Sequence, residues 1–124
     1  RRQRQMCIRD SLKKNKEFIS KNLICGLSCK WNKELVINPP ENEIKWTYLA
    51  VGSFYPSNTK STIPETNENV KRKFLSYTDK PLVAIGGINK KNIGEVRSLG
   101  YSCFALSEAL FENPKHVLNE YKRL

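Results

Sequence analysis

Four short apolar runs, each leading into a polar or glycine-bearing loop and then a helix-like stretch, constrain this chain more than any other feature. They occupy residues 23–28, 46–52, 82–85 and 102–106. Each is apolar throughout rather than alternating with polar residues. Strands read this way when both faces of their sheet are covered, as in parallel sheets. The stretches between them carry helical spacing. Ser11 is placed to cap a helix through about residue 21 that buries Leu12, Phe18 and Ile19. A short helix over 32–37 is stopped by Pro39 and Pro40. A third, over 67–78, puts Val70, Phe74 and Tyr77 on one face. A fourth begins near Asn89, presents Ile93, Val96 and Leu99, and ends at Gly100, a suitable C′ residue. After the last strand come a short helix over 107–111 and a final one opened by Asn113 and Pro114, burying Val117, Leu118 and Tyr121.

This order predicts parallel βα units, either doubly wound or part of a (β/α)8 barrel. A whole barrel needs at least about 200 residues. The 124 residues here hold four units, half of one.

Charge and cysteine content narrow the classes of partner. The net charge is +10, but residues 1–16 carry +6 of it through Arg1, Arg2, Arg4, Arg9, Lys13, Lys14 and Lys16 against Asp10. The remaining +4 is a mild excess, with no basic run interleaved with aromatics. Nucleic acid is therefore not expected as a partner. Residues 1–10 share no periodicity with the rest of the chain and are treated as a non-native basic tail, leaving 11–124 as the domain. No apolar run approaches the roughly 20 residues of a membrane span, and no membrane partner is expected. The four cysteines form no CxxC pair and His116 is the only histidine, so no metal ligands are assigned. Cys25 and Cys103 fall inside apolar runs and are expected to pack as small hydrophobes. A reduced, cytoplasmic setting is the corresponding expectation.

Three features fall at C-terminal strand ends, where α/β proteins place their sites. The strongest joins Gly86-Gly87, after the third strand, to Leu106-Ser107, after the fourth. Glycines there let a ligand approach the backbone, and Ser107 would open a short helix whose free N–H groups suit a phosphate. A tight turn is the plainer account of Gly-Gly alone; Ser107 one strand later favours phosphate. The second feature, Ser57-Asn58-Thr59-Lys60, offers hydroxyl, amide and ammonium donors to an anion, although a solvated loop has the same composition. The third is Ser28, which by itself reads as a helix cap.

Taken in order, residues 25–29 (CGLSC), 48–60 (YLAVGSFYPSNTK), 81–89 (PLVAIGGIN) with Asn92, and 104–107 (FALS) resemble the thiamine-phosphate synthase family. The resemblance covers roughly residues 20–124. It implies an α/β fold that is the C-terminal half of a TIM barrel, and a transferase of thiamine biosynthesis. That family joins hydroxymethylpyrimidine diphosphate to thiazole phosphate with loss of pyrophosphate, and Mg²⁺ is its expected cofactor. By the resemblance, Ser57, Asn58 and Thr59 would hold the thiazole, while Gly87, Leu106 and Ser107 bind its phosphate. Ser28 and Lys60 would act in catalysis from the pyrimidine side, Lys60 reaching the pyrophosphate.

The departures are informative. No part of the chain matches the family's pyrimidine-binding Gln-x-Lys or its metal-binding aspartates, so the isolated chain is expected to be inactive. Ser53 stands where proline is commoner and Ser57 where threonine is. The connection from Ser28 to Tyr48 is longer than usual. Two other readings are kept. In a thiazole tautomerase on the same fold, Lys30 would stand where a catalytic histidine belongs. A basic nucleic-acid-binding module is the other. The first and last strands of a half barrel would be open edges, which leaves self-association possible.

Overall fold

The computed structural model describes residues 24–40, 45–57 and 61–107. Within them, β1 (Cys25–Ser28), β2 (Trp46–Val51), β3 (Leu82–Ile85) and β4 (Cys103–Ala105) form one sheet in the order β1-β2-β3-β4. Every neighbouring pair is parallel, with Leu27 beside Leu49, Leu49 beside Leu82, and Ala84 beside Phe104. The four C-terminal strand ends therefore share one edge of the sheet. Helices α1 (Lys33–Ile37), α2 (Glu68–Phe74) and α3 (Ile93–Ser98) fill the three connections. The expected α/β fold of parallel βα units is thus observed. The expected helices over 11–21 and 114–124 lie outside the described residues, as does all of the helix expected over 107–111 beyond Ser107.

Local side-chain chemistry sets the helix bounds. The Asn32 side chain accepts from the Leu35 N–H at 3.1 Å, and Asn67 accepts from Asn69 at 2.9 Å and Val70 at 3.4 Å. Both satisfy donors that a first turn leaves orphaned. α2 runs on into a 3₁₀ turn, Leu75–Tyr77, so the helix expected over 67–78 is divided in two. α3 begins at Ile93, not near Asn89. Asn89 Oδ1 takes the Lys91 N–H at 2.9 Å, and Asn92 Oδ1 takes the Asn89 N–H at 2.8 Å. Such local bonds compete with helix formation. Its far end is a Schellman cap: Gly100, at φ +105°, donates to the Arg97 carbonyl and Tyr101 to that of Val96.

The core lies between the sheet and these helices. β2 and β3 supply buried Trp46, Leu49, Ala50, Val51, Leu82 and Ala84, and the helices supply Val36, Phe74, Ile93 and Val96. Continuous apolarity correctly marked β2 as covered. It misled for the outer strands. In β1 only Cys25 and Leu27 are half-buried, and in β4 Cys103 and Ala105 are exposed. Ile24, expected in the first strand, precedes it and is 79% exposed. Terminal strands have a neighbour on one side only, so one flank stays uncovered. Beside β4, a groove of about 550 Å³ is lined by Ile93, Tyr101, Phe104 and Leu106 among others. Cys103 is accordingly not the packed hydrophobe expected from its neighbours. The buried cysteine is Cys29, 1% exposed, whose thiol burial pushes up to about 11.

Candidate functional site

The parallel strands bring the sequence candidates to one edge. Ser28 ends β1 and is exposed; Ser57 is half-buried in the loop after β2. Gly87 is half-buried in the turn after β3, and Leu106 and Ser107 directly follow β4. Leu106 packs partly against the core while Ser107 is exposed. Asn58, Thr59 and Lys60 lie outside the described residues, so the structure does not test their placement.

The Gly86-Gly87 turn is more constrained than a flexible ligand cradle. Both residues have positive φ, +96° and +64°. A Cβ on Gly87 would stand 2.4 Å from the Pro56 carbonyl oxygen and 2.8 Å from Tyr55 Cβ. The close approach that requires glycine here is therefore made by the loop after β2, where the sequence pointed to a ligand. That loop is stitched to the turn: Phe54 N–H donates to the Ile85 carbonyl and Tyr55 N–H to that of Gly86, each at 3.1 Å. From the other side, Asn92 Nδ2 donates to the Gly87 carbonyl at 3.0 Å. The Gly87 N–H itself takes no partner among the described residues. It is a donor held in place on a rigid turn, the kind of group an anion can use.

The loop after β2 reads as polar in sequence, yet it is anchored by aromatic packing. Phe54 is 2% exposed, with its ring centroid 4.9 Å from that of Trp31 and 5.0 Å from that of Tyr101. Trp31 Nε1 donates to the Ser53 carbonyl at 3.0 Å, and that carbonyl also takes the Glu65 N–H at 3.0 Å. Ser53 uses its hydroxyl to donate to the Tyr55 carbonyl at 2.7 Å. Tyr55 donates its phenol to Glu95 Oε2 at 2.8 Å. Burial first, then the hydrogen bond and charge of Glu95, push that phenol up to about 12. Trp31, the Tyr55–Glu95 pair and the Asn89–Asn92 pair were not singled out from sequence for these roles. Of these only the two asparagines, spaced three apart after a Gly-Gly turn, carry a legible signal, that of side chains capping their own backbone.

No group of three or more His, Cys, Asp or Glu residues able to hold a metal ion occurs among the described residues. Nor is any described helix long and apolar enough to cross a membrane.

Comparison with known proteins agrees with this architecture. The family model for thiamine monophosphate synthase matches residues 9–110. The chain belongs to the thiamine monophosphate synthase family. The match begins upstream of the stretch whose motifs carried the resemblance. A thiamine-phosphate synthase from Methanococcus vannielii is 38% identical over 100 residues, covering 81% of this chain and 47% of that protein. One from Lactococcus lactis is 31% identical over 117 residues, covering 92% and 53% respectively. A solved thiamine phosphate pyrophosphorylase from Pyrococcus furiosus superposes with a TM-score of 0.59 at 25% identity, over 84% of this chain and 51% of that one. The chain thus spans about half the length of the relatives it matches, in keeping with four of a barrel's eight units.

Proposed function

We propose that this chain forms the C-terminal, thiazole-phosphate-gripping half of a thiamine-phosphate synthase site. The observation that carries the reading is the shared edge. The Gly87 N–H, which has no partner among the described residues, lies on a turn bonded to the Ser57-bearing loop and one strand away from Ser107. Family membership supports it, as does the run of synthases among the relatives.

In this reading Gly87, Leu106 and Ser107 take the thiazole phosphate through backbone N–H groups and the Ser107 hydroxyl. Ser57, Asn58 and Thr59 hold the ring. Ser28 and Lys60 face the pyrimidine diphosphate, with the Lys60 ammonium opposing the charge that develops on the departing pyrophosphate. The thiazole nitrogen attacks the pyrimidine methylene carbon, the carbon–oxygen bond breaks, and its electron pair leaves with pyrophosphate. No nucleophilic side chain is required, so the protein's contribution is orientation of two bound reactants. Mg²⁺, implied by the resemblance, has no fitting donor set among the described residues. Its ligands and the pyrimidine pocket fall to the other half of the barrel. The chain alone is expected to bind thiazole phosphate without turning it over. A cytoplasmic setting and self-association through the uncovered edges belong to the same reading.

The test is calorimetric titration of the full chain with thiazole phosphate and with its dephosphorylated alcohol. Only the phosphate should bind. Lys60→Ala should leave that binding largely intact and Gly87→Asp should remove it. Equal binding of the two ligands, or equal loss in the two variants, overturns the assignment of roles.

A further inference from the structure

A lysine sits where the fold has no evident use for a charge. Lys71, on α2, is 6% exposed, and it is the one buried polar or charged residue among those described. Its backbone is fixed, the N–H donating to the Asn67 carbonyl at 3.1 Å and the carbonyl accepting from the buried Tyr101 hydroxyl at 2.8 Å. Its ammonium makes no ion pair among the described residues. Nζ instead stands 5.4 Å from the ring centroid of Phe54 and 5.4 Å from that of Tyr55. Both distances are within the roughly 6 Å at which a cation is attracted to an aromatic face.

Removing an ammonium from water is costly unless something replaces its hydration. An apolar side chain would fill the same volume at no such cost. What the ammonium adds is a simultaneous hold on two consecutive residues of the loop after β2. Phe54 is already wedged between Trp31 and Tyr101, and Tyr55 is tied to Glu95. Ser57 stands two residues beyond Tyr55. The exposed Lys33, 5.1 Å from the Tyr77 ring, makes a contact of the same type in solvent, where it counts for little.

We infer that Lys71 is a positioning residue for the loop after β2, its ammonium holding the Phe54 and Tyr55 rings so that Ser57 is presented to an anionic ligand. The ligand-facing part rests on the functional reading above; the hold on the loop does not.

Three substitutions in the full 124-residue chain test it: Lys71→Met, which keeps the stem and removes the charge; Lys71→Arg, which keeps a cation; and Tyr55→Leu, which removes one ring. Lys71→Met should speed hydrogen exchange of the Phe54 and Tyr55 N–H groups and weaken thiazole phosphate binding, each on the order of fivefold. The urea midpoint should be no lower, because a buried charge has gone. Lys71→Arg should restore both readouts. Should the larger guanidinium fail to fit, the double variant decides: in the Tyr55→Leu background, Lys71→Met should change Phe54 exchange by clearly less. Unchanged exchange, an equal effect in both backgrounds, or a midpoint that falls in step with exchange overturns the inference. If the unaltered chain does not bind thiazole phosphate, the functional reading fails, and the exchange measurements still decide the role of Lys71.

Discussion

Replacing Gly87 by alanine should be among the most damaging single-methyl changes in this protein, while the same change at Gly94 should not be damaging at all. At φ +64° an L-residue occupies the left-handed region, which costs about 1–2 kcal/mol. The added Cβ also meets the Pro56 carbonyl oxygen at 2.4 Å and the Tyr55 carbonyl oxygen at 2.8 Å. These are backbone atoms of a loop bonded to the same turn, so they cannot swing aside as a side-chain tip would. Overpacking of this kind adds about 1–3 kcal/mol. Together the two effects amount to roughly 2–5 kcal/mol, a large part of the ~5–15 kcal/mol typical of a whole domain. Gly94 lies in α3 with nothing within 4 Å of its would-be Cβ, so alanine there should stabilise by about 0.5–1 kcal/mol. Urea unfolding of the two variants, read by the fluorescence of Trp31 and Trp46, measures both values. A loss below about 1 kcal/mol at Gly87, or a comparable loss at Gly94, would refute the claim that protein backbone occupies the space beside that turn.

Asn92→Ala removes the acceptor for the Asn89 N–H at 2.8 Å and the donor to the Gly87 carbonyl at 3.0 Å. It should cost about 1–2 kcal/mol in urea unfolding and weaken thiazole phosphate binding, whereas Asn92→Asp should keep the bond from the Asn89 N–H and lose only the donor to the Gly87 carbonyl. Stability should decline in alkali, because Cys29 is raised from 9.0 to about 11 and Tyr55 from 10.0 to about 12. The unfolded chain releases these protons first, so their contribution is complete below pH 9 and is lost between about pH 9 and 12. Cys29→Ala should remove the earlier part of that decline and Tyr55→Phe only a share of the later part, because burial pushes the Tyr101 phenol up as well, in unfolding measured across pH. Finally, a thiol reagent should modify exposed Cys103 rapidly and buried Cys29 only as the chain unfolds; mass spectrometry of the labelled peptides over time gives the order.

The same residues define what could be read before the structure. Apolar runs marked all four strands, because a parallel strand must bury its faces and says so in composition. Gly100 announced a helix end from sequence, whereas the caps made by Asn32 and Asn67 emerged with the structure, although both act through bonds within a few residues of themselves. The site candidates Ser28, Gly87 and Ser107 were placed by the rule that parallel strands carry loops at one end. Burial at the sheet margins was not legible. Cys103 and Leu49 sit in runs of similar apolarity, yet Leu49 is fully buried and Cys103 exposed, since only strand order says which run is an edge.

The Gly86-Gly87 turn divides the two kinds of information most clearly. The sequence by itself marked this point as either a tight turn or a place of close ligand approach at the end of a strand. Tertiary structure alone decided what presses on it: the Tyr55–Pro56 backbone, 31 or more residues earlier in the chain. It likewise decided that Lys71, an ordinary helix lysine in sequence, is enclosed with its charge over Phe54 and Tyr55. The physical reason is range. Dihedral preference and capping act over a few residues and are written locally, whereas burial and close approach depend on which distant segments the strand pairing brings together.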